Sequence, residues 1–404
     1  MKKVPEFYQK LSDADITHLR EYLTNRFEQI PPKKRLSIVF DLLHECDLKC
    51  VGCGTNAVCV ARPDHVLHFH SGPSLEQIRV VLQKCKSYAL QNDMDIFVNF
   101  GGGEPFLRPD ILDILEMSAN MFGSDSVGID TNATLDCSFE RISAAMPFVS
   151  YIGISINGMH DYHNWWSGIT AFDAFDRATD VIRKLCRNPS WSKKLEVTSV
   201  ATKENLLDIP DLLAFLRELG VQQYSIHRAI PVGRMAVHQE LIPSAADYLN
   251  LLLMLINQDT GIQAHTHHSI ESIHAAILFG IDTYSGDTPG TPNRRSSLGI
   301  NADCALVFDP WCVTGKWSQL TWGNLLEEND LDTLLQSRDS FFSLLPPYTS
   351  RSARCHGCIQ PCSGGSRIVA ATTALNGKKT SGIDVSTLGK ALCAVDPACP
   401  YFES

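Results

Sequence analysis

The 404-residue chain has no long apolar run. Its densest, LLLMLI at 251–256, falls far short of the roughly 20 residues that cross a bilayer, so no membrane partner is expected. The opening MKKVPEFYQK lacks the apolar stretch of a secretory signal, which points to the cytoplasm. No tract of five or more basic residues occurs and the formal net charge is −10, so non-specific binding to nucleic acid is not expected. There is no internal repeat and no low-complexity tract, which excludes a repeat architecture.

Cysteine is what the chain has in quantity, 14 residues of it. Cytosolic thiols stay reduced, so this number argues for metal or redox chemistry over disulfide bridges. Cys46, Cys50, Cys53 and Cys59 lie near the start, while Cys304, Cys312, Cys355, Cys358, Cys362, Cys393 and Cys399 crowd the last quarter. Cys85, Cys137 and Cys186 stand singly in apolar or helical surroundings, where a buried free thiol is the expected reading.

Between the two groups the chain alternates. RLSIVFDLL (35–43), DIFVNF (95–100), SVGIDTN (126–132), YIGISING (151–158), LEVTSVATKEN (195–205) and QQYSIHRAI (222–230) read as strands. Helical spacing intervenes at 74–91, 110–122, 139–146, 171–186 and 209–220, with a capping box at Ser74 and Gln77 and a C-terminal stop at Gly220. Such alternation implies an α/β fold of parallel strands with right-handed crossovers. About six units suit a partial (β/α)6 TIM-like barrel better than a closed eight-unit one. Residues 1–34 read as a helical lead-in, 35–235 as the barrel core, 236–300 as a helical connector and loop, and 301–404 as a cysteine-rich C-terminal domain.

Two motifs fall at strand ends, the side on which such sheets bind ligands. Cys46, Cys50 and Cys53 follow the first strand as C-x3-C-x2-C. A structural zinc site takes four protein ligands, and only Cys59 or one of His44, His65, His68 and His70 would complete it. An iron–sulfur cluster suits several thiolates on one short loop, and three of them leave one iron open. The second motif, GGEP at Gly102, Gly103, Glu104 and Pro105, ends the second strand. Its glycines let backbone carbonyls approach an ammonium group, and Glu104 can offset the charge.

In order and at successive strand ends, these motifs resemble the radical S-adenosylmethionine (SAM) enzymes, over roughly residues 35–235. The resemblance implies that the three cysteines hold a [4Fe–4S] cluster whose open iron binds SAM. It implies that one-electron cleavage of SAM yields a 5′-deoxyadenosyl radical, which takes hydrogen from a substrate. It also implies an electron donor such as flavodoxin or ferredoxin. Ser126, Asp130, Thr131 and Asn132 then become candidates for the ribose or carboxylate of SAM, Ser155 and Asn157 for a polar pair after the fourth strand, and Arg234 of PVGR for the adenine side. The family usually places an aromatic residue before the third cysteine. This chain has Gly52, so packing there must come from elsewhere.

The tail resembles the SPASM extension of the same family, a domain of one or two auxiliary iron–sulfur clusters. Cys304, Cys312, the GNL at Gly323 and Asn324, Cys355-x2-Cys358-x3-Cys362, and Cys393 or Cys399 carry the likeness. The run after C-x2-C has three residues where the family has five, and Ser366 stands where the family has another cysteine. A zinc module is the alternative for this segment. SPASM enzymes mostly act on peptides or protein side chains, so the leading expectation is crosslinking, oxidation or epimerisation of a peptide. The second is oxidation or rearrangement of a small molecule such as a sugar or antibiotic precursor, and the third a non-catalytic metal-binding protein. His265, His267 and His268 are candidates for the substrate site, with a polar surface loop as the alternative. No catalytic acid or base is assigned.

Overall fold

The structure, a computed structural model, describes residues 6–28, 35–60, 72–258, 260–266, 268–281, 297–307, 321–327, 330–343 and 391. Cys312, Cys355, Cys358, Cys362, Cys393, Cys399, His65, His68, His70 and His267 lie outside the described residues.

The strands are β1 (Arg35–Asp41), β2 (Glu45–Cys46), β3 (Val58–Cys59), β4 (Asp95–Gly101), β5 (Val127–Thr131), β6 (Tyr151–Ser155), β7 (Leu195–Ala201), β8 (Gln223–Arg228), β9 (Gln263–Thr266), β10 (Ser297–Ile300), β11 (Ala305–Val307) and β12 (Thr321–Asn324). The six strands expected from the sequence are β1 and β4 to β8, and they pair in parallel in chain order. Alternation of side chains explains them. In β7, Leu195, Val197, Ser199 and Ala201 are buried while Glu196, Thr198 and Val200 are half-buried. Chain-order pairing with right-handed crossovers puts the connecting helices on one face of the sheet. That face is the apolar core, where Leu36, Ile38 and Phe40 of β1 meet residues such as Val81 and Leu82 of helix Leu75–Gln91. The opposite face presents Asn99, Asp130, Tyr151, Glu196 and His227, all half-buried.

The sheet runs on past residue 235. β9 adds in parallel beside β8, with Ser225 opposite His265. β10 adds in parallel beside β1, with Ser37 opposite Ser297. β11 and β12 extend that edge antiparallel, giving ten strands in the order β12-β11-β10-β1-β4-β5-β6-β7-β8-β9. β9 has four residues, QAHT, too short and too polar to show a strand pattern in sequence. Cys304 lies in the β10–β11 turn at φ +61, fully buried in the main core.

Helix Leu75–Gln91 begins with the expected capping box of Ser74 and Gln77, and Gly220 ends the following turn of helix Ile209–Glu218 at φ +90. Helix His160–Ser167, directly after β6, was not anticipated. The lead-in contains helix Asp13–Glu28, which packs against helices Ala245–Asn257 and His268–Phe279. Its Arg26 and Tyr22 bind the buried Glu271 at 3.0 and 2.7 Å. Among the described residues no helix is long and apolar enough to cross a membrane.

Candidate active site at the cysteine loop

Beyond β1 the chain passes through Leu42 and Leu43 into β2, turns through the cysteines, and returns as β3, with Cys46 opposite Cys59. The glycine loop after β4 lies along this segment. Leu42 N–H donates to Gly101 O, Gly103 N–H to Leu43 O and Glu104 N–H to Glu45 O, each at 2.9 Å. So close an approach needs glycine. Gly102 has φ +115, and a Cβ at Gly103 would lie 1.7 Å from Glu45 O. Buried Arg108 fixes the pair from below, donating to Leu42 O at 3.1 Å and Pro73 O at 2.9 Å while paired with Asp110.

Glu104 is fully buried. Its Oε1 accepts from Phe106 N–H at 2.9 Å, capping the short turn begun by Pro105, and from Thr131 Oγ1 at 2.8 Å. Oε2 accepts from Asn132 N–H at 2.8 Å. A carboxylate offers about four lone-pair sites, so Oε2 keeps one for a ligand. Asn132 Nδ2 donates to Asp47 Oδ1 at 2.7 Å and reaches Cys46 Sγ at 3.6 Å, and Thr134 Oγ1 donates to Asp47 Oδ2. Burial, and secondly the charge of Asp47, push Glu104 up to about 8 against the pull of its hydrogen bonds. Burial also raises Asp47. Two buried carboxylates so placed favour a cation beside the cysteines.

Cys46, Cys50 and Cys53 are all free thiols. Cys46 Sγ accepts from Leu48 N–H at 3.4 Å and Cys53 Sγ from Ala57 N–H at 3.5 Å. Thr55 Oγ1 stands 3.2 Å from Cys53 Sγ and donates to Gly102 O at 3.2 Å, tying the two motifs together. Burial pushes the Cys46 and Cys50 thiols up, while Arg234 pulls Cys50 back. The Arg234 guanidinium donates to Cys50 O at 2.6 Å and Ala57 O at 2.8 Å, and the backbone N–H of Arg234 donates to Cys53 O at 2.9 Å. The structure therefore places the arginine of PVGR on the cysteine loop itself. Gly233, at φ +56, permits this, because a Cβ there would lie 2.3 Å from Gly54 O.

The space beside Gly52 is filled. A Cβ at Gly52 would meet Trp166 at 2.3 Å and the Met235 methyl at 2.5 Å. Trp166 is buried, stacks on Tyr162 with ring centroids 6.2 Å apart, and packs with Cys50 and Val51. The bulk that the family carries at this position is supplied from helix His160–Ser167.

The structure thus brings together Cys46, Cys50, Cys53, Gly102, Gly103, Glu104, Pro105, Thr131, Asn132 and Arg234. Ser126 stands before Val127, at the opposite end of β5 from Thr131, and is not with them. Asp130 points to the helix-free face of the sheet, where Asn99 Nδ2 donates to it at 2.5 Å and Tyr151 OH at 3.3 Å. Ser155 ends β6 opposite Thr198. The Asn157 side chain accepts from Val200 N–H at 2.9 Å, so it links β6 to β7. Asp47, Thr55, Thr134 and Trp166 were missed. Asp47 follows a cysteine ligand directly, which was a usable signal; Trp166 shows only in three dimensions.

Three unpaired thiols within eight residues, backbone donors on two of the sulfurs and a pair of buried carboxylates nearby form a donor set that fits an iron–sulfur cluster holding an amino-bearing ligand. Residues 42–216 match the Radical SAM superfamily. Those residues form a radical SAM domain, and members of that superfamily are enzymes. The protein's cofactors are a [4Fe–4S] cluster and SAM. The chain is 25% identical over 367 residues to the Fe-coproporphyrin III synthase of Methanosarcina barkeri, covering 86% of this chain and 87% of that protein. It is 21% identical to the mycofactocin maturase MftC of Mycolicibacterium smegmatis, over 82% of this chain and 77% of the relative. Streptococcus suis SuiB, solved bound to S-adenosylmethionine, shares the fold with a TM-score of 0.61 at 17% identity, over 89% of this chain and 78% of SuiB. SuiB was also solved bound to its precursor peptide SuiA.

Proposed function

We propose that this radical SAM enzyme acts on a peptide or protein side chain, making a crosslink, an oxidation or an epimerisation, and that its tail is a SPASM-like domain. The likeness to SuiB supports this reading most directly: it extends over 89% of the chain, well beyond residue 216 where the radical SAM match ends, and SuiB binds a precursor peptide. In the tail, Cys355, Cys358, Cys362 and either Cys393 or Cys399 would hold one auxiliary cluster, and Cys304 and Cys312 would contribute to a second. A flavodoxin or ferredoxin would deliver the electron.

Bound together, the cluster and SAM would supply one-electron radical chemistry for hydrogen abstraction. The chain's own residues hold and orient. Cys46, Cys50 and Cys53 carry the cluster. Glu104, kept in place by Thr131, Phe106 and Asn132, would accept from the amino group of SAM. The Arg234 clamp fixes the three carbonyls of the cysteine loop.

A small-molecule substrate is the second reading, favoured by the similarity to Fe-coproporphyrin III synthase over 86% of the chain. Co-expression with the short open reading frames flanking the gene separates the two. The peptide reading expects one encoded peptide to change mass, and expects no change when Cys46, Cys50 and Cys53 are replaced by Ala. Unaltered peptides together with formation of an iron porphyrin from a small-molecule precursor would assign the enzyme to the second reading.

A further inference from the structure

The face of the sheet opposite the helices is unusual for a β/α barrel, whose interior is ordinarily packed with bulky branched side chains. Here it is polar and solvent reaches much of it: Asn99, Asp130, Tyr151 and Glu196 are half-buried. Glycines open it further. Gly101 lies beside Asp41, where a Cβ would stand 3.6 Å from Asp41 Oδ1, and at Gly153 a Cβ would stand 2.1 Å from Asp130 Oδ1. Substitution at Gly153 would therefore displace the Asp130 carboxylate.

Asp41 ends β1 on this face, one turn of chain below the cysteine loop. It is 2% exposed, and its Oδ2 has no hydrogen-bond partner among the described residues. Gly101 stands between the two carboxylates, paired with Asp41 on β1 and following Phe100, which pairs with Ile129. Burial first, and then the charge of Asp130, raise Asp41. Burial, with a smaller contribution from Glu196, raises Asp130 against the hydrogen bonds from Asn99 and Tyr151. The histidines of the same face, His227 and His265, are held neutral mainly by burial, so neither supplies a countercharge. A buried carboxylate oxygen without a donor is costly to leave unmatched. Grouped carboxylates in a reachable chamber are matched best by a cation that brings its own N–H donors.

We propose that Asp41 and Asp130 form a substrate subsite that takes a cationic group, an alkylammonium or a guanidinium. This places Asp130 with the substrate instead of with SAM. The inference rests on the sheet interior being the substrate side of the radical SAM site, and not on the substrate being a peptide. A propionate-bearing or phosphorylated substrate would meet repulsion at this point.

Full-length enzyme reconstituted with its cluster and SAM is titrated with Gly-Lys-Gly, Gly-norleucine-Gly, Gly-Glu-Gly and pentylamine, with thermal stabilisation as the readout. Gly-Lys-Gly should bind about tenfold or more tighter than the norleucine peptide, the ratio expected of a charge-assisted contact. Asp41→Asn should abolish that preference. The amide keeps the shape, and circular dichroism and iron content confirm folding; Asp130→Asn serves as the second variant. Pentylamine equal to Gly-Lys-Gly would keep the carboxylate subsite while removing the peptide reading. Equal binding of the lysine and norleucine peptides, preference for Gly-Glu-Gly, no stabilisation by any probe, or a lysine preference that survives both substitutions overturns the proposal.

Discussion

Glu104 carries three hydrogen bonds and still sits far from its ordinary ionisation range. Its sequence context pointed to a charge able to face an amino group. What the context did not give was Asp47, the second carboxylate that makes the environment so negative, nor Asn132, which binds Glu104, Asp47 and Cys46 at once. Those contacts join residues 85 and 86 positions apart, beyond any local pattern. Replacing Glu104 by Gln keeps shape but removes charge, and a charge-assisted hydrogen bond is worth about 1.5–3 kcal/mol, so SAM affinity should drop about tenfold to a hundredfold. Iron content should stay at the wild-type level, since Glu104 bonds to no cysteine. SAM titration and iron counting on the anaerobic proteins measure both; equal affinities would reduce Glu104 to a turn residue. Replacing Cys46, Cys50 and Cys53 together by Ala should remove about four irons, and unchanged iron would refute the cluster assignment.

The elements that hold the cysteine loop come from three places in the chain: the glycine loop after β4, the PVGR turn after β8, and helix His160–Ser167 after β6. The first two were legible because glycine beside a charged residue at a strand end is a local signal. The third was not. HDYHNWWS has little helix propensity, and its helix is sustained by burying Trp166 against the loop. Gly52→Phe should therefore be strongly destabilising, because the new ring meets Trp166 and Met235 within 2.5 Å of its Cβ; overpacking of this kind typically costs about 1–3 kcal/mol. Combining Gly52→Phe with Trp166→Gly should recover part of the lost melting temperature. A double variant no more stable than Gly52→Phe alone would show that the two positions do not share one space.

Across the whole molecule, the strand–helix rhythm was readable between 35 and 235, because β1 and β4 to β8 each present alternation or a long buried run. β9 and β10 were not, being four residues each, too short to show a period; their place is fixed by pairing to β8 and β1. Buried ionisable groups give the fold a distinct response to pH. Burial raises Asp41 to about 7 and Glu104 to about 8, so near neutrality the folded chain holds protons that the unfolded chain has released. Burial lowers His163, His227 and His274 to about 4 from 6.5, an effect of opposite sign that is half spent at pH 6.5 and fades as pH rises further. Between pH 6.5 and 8 the carboxylates outweigh what remains of the histidine titration, and stability of the cluster-free protein should fall as pH rises. Melting temperatures at the two ends of that window check this; a higher value at pH 8 would contradict the burial of these carboxylates. In the cluster-loaded, SAM-bound enzyme the fall should be smaller, because Glu104 is then matched by a ligand.

Helix Asp13–Glu28 has its principal anchor, Glu271, 245 residues further along. At a synthesis rate of roughly 5–20 residues per second, the ribosome takes about 12–50 s to supply it. Until helices Ala245–Asn257 and His268–Phe279 have both been made, Leu19 and Leu23, wholly buried in the finished protein, lack the two helices that pack on theirs. This helix is thus made long before it can find its place, and it is a stretch of nascent chain in need of a chaperone.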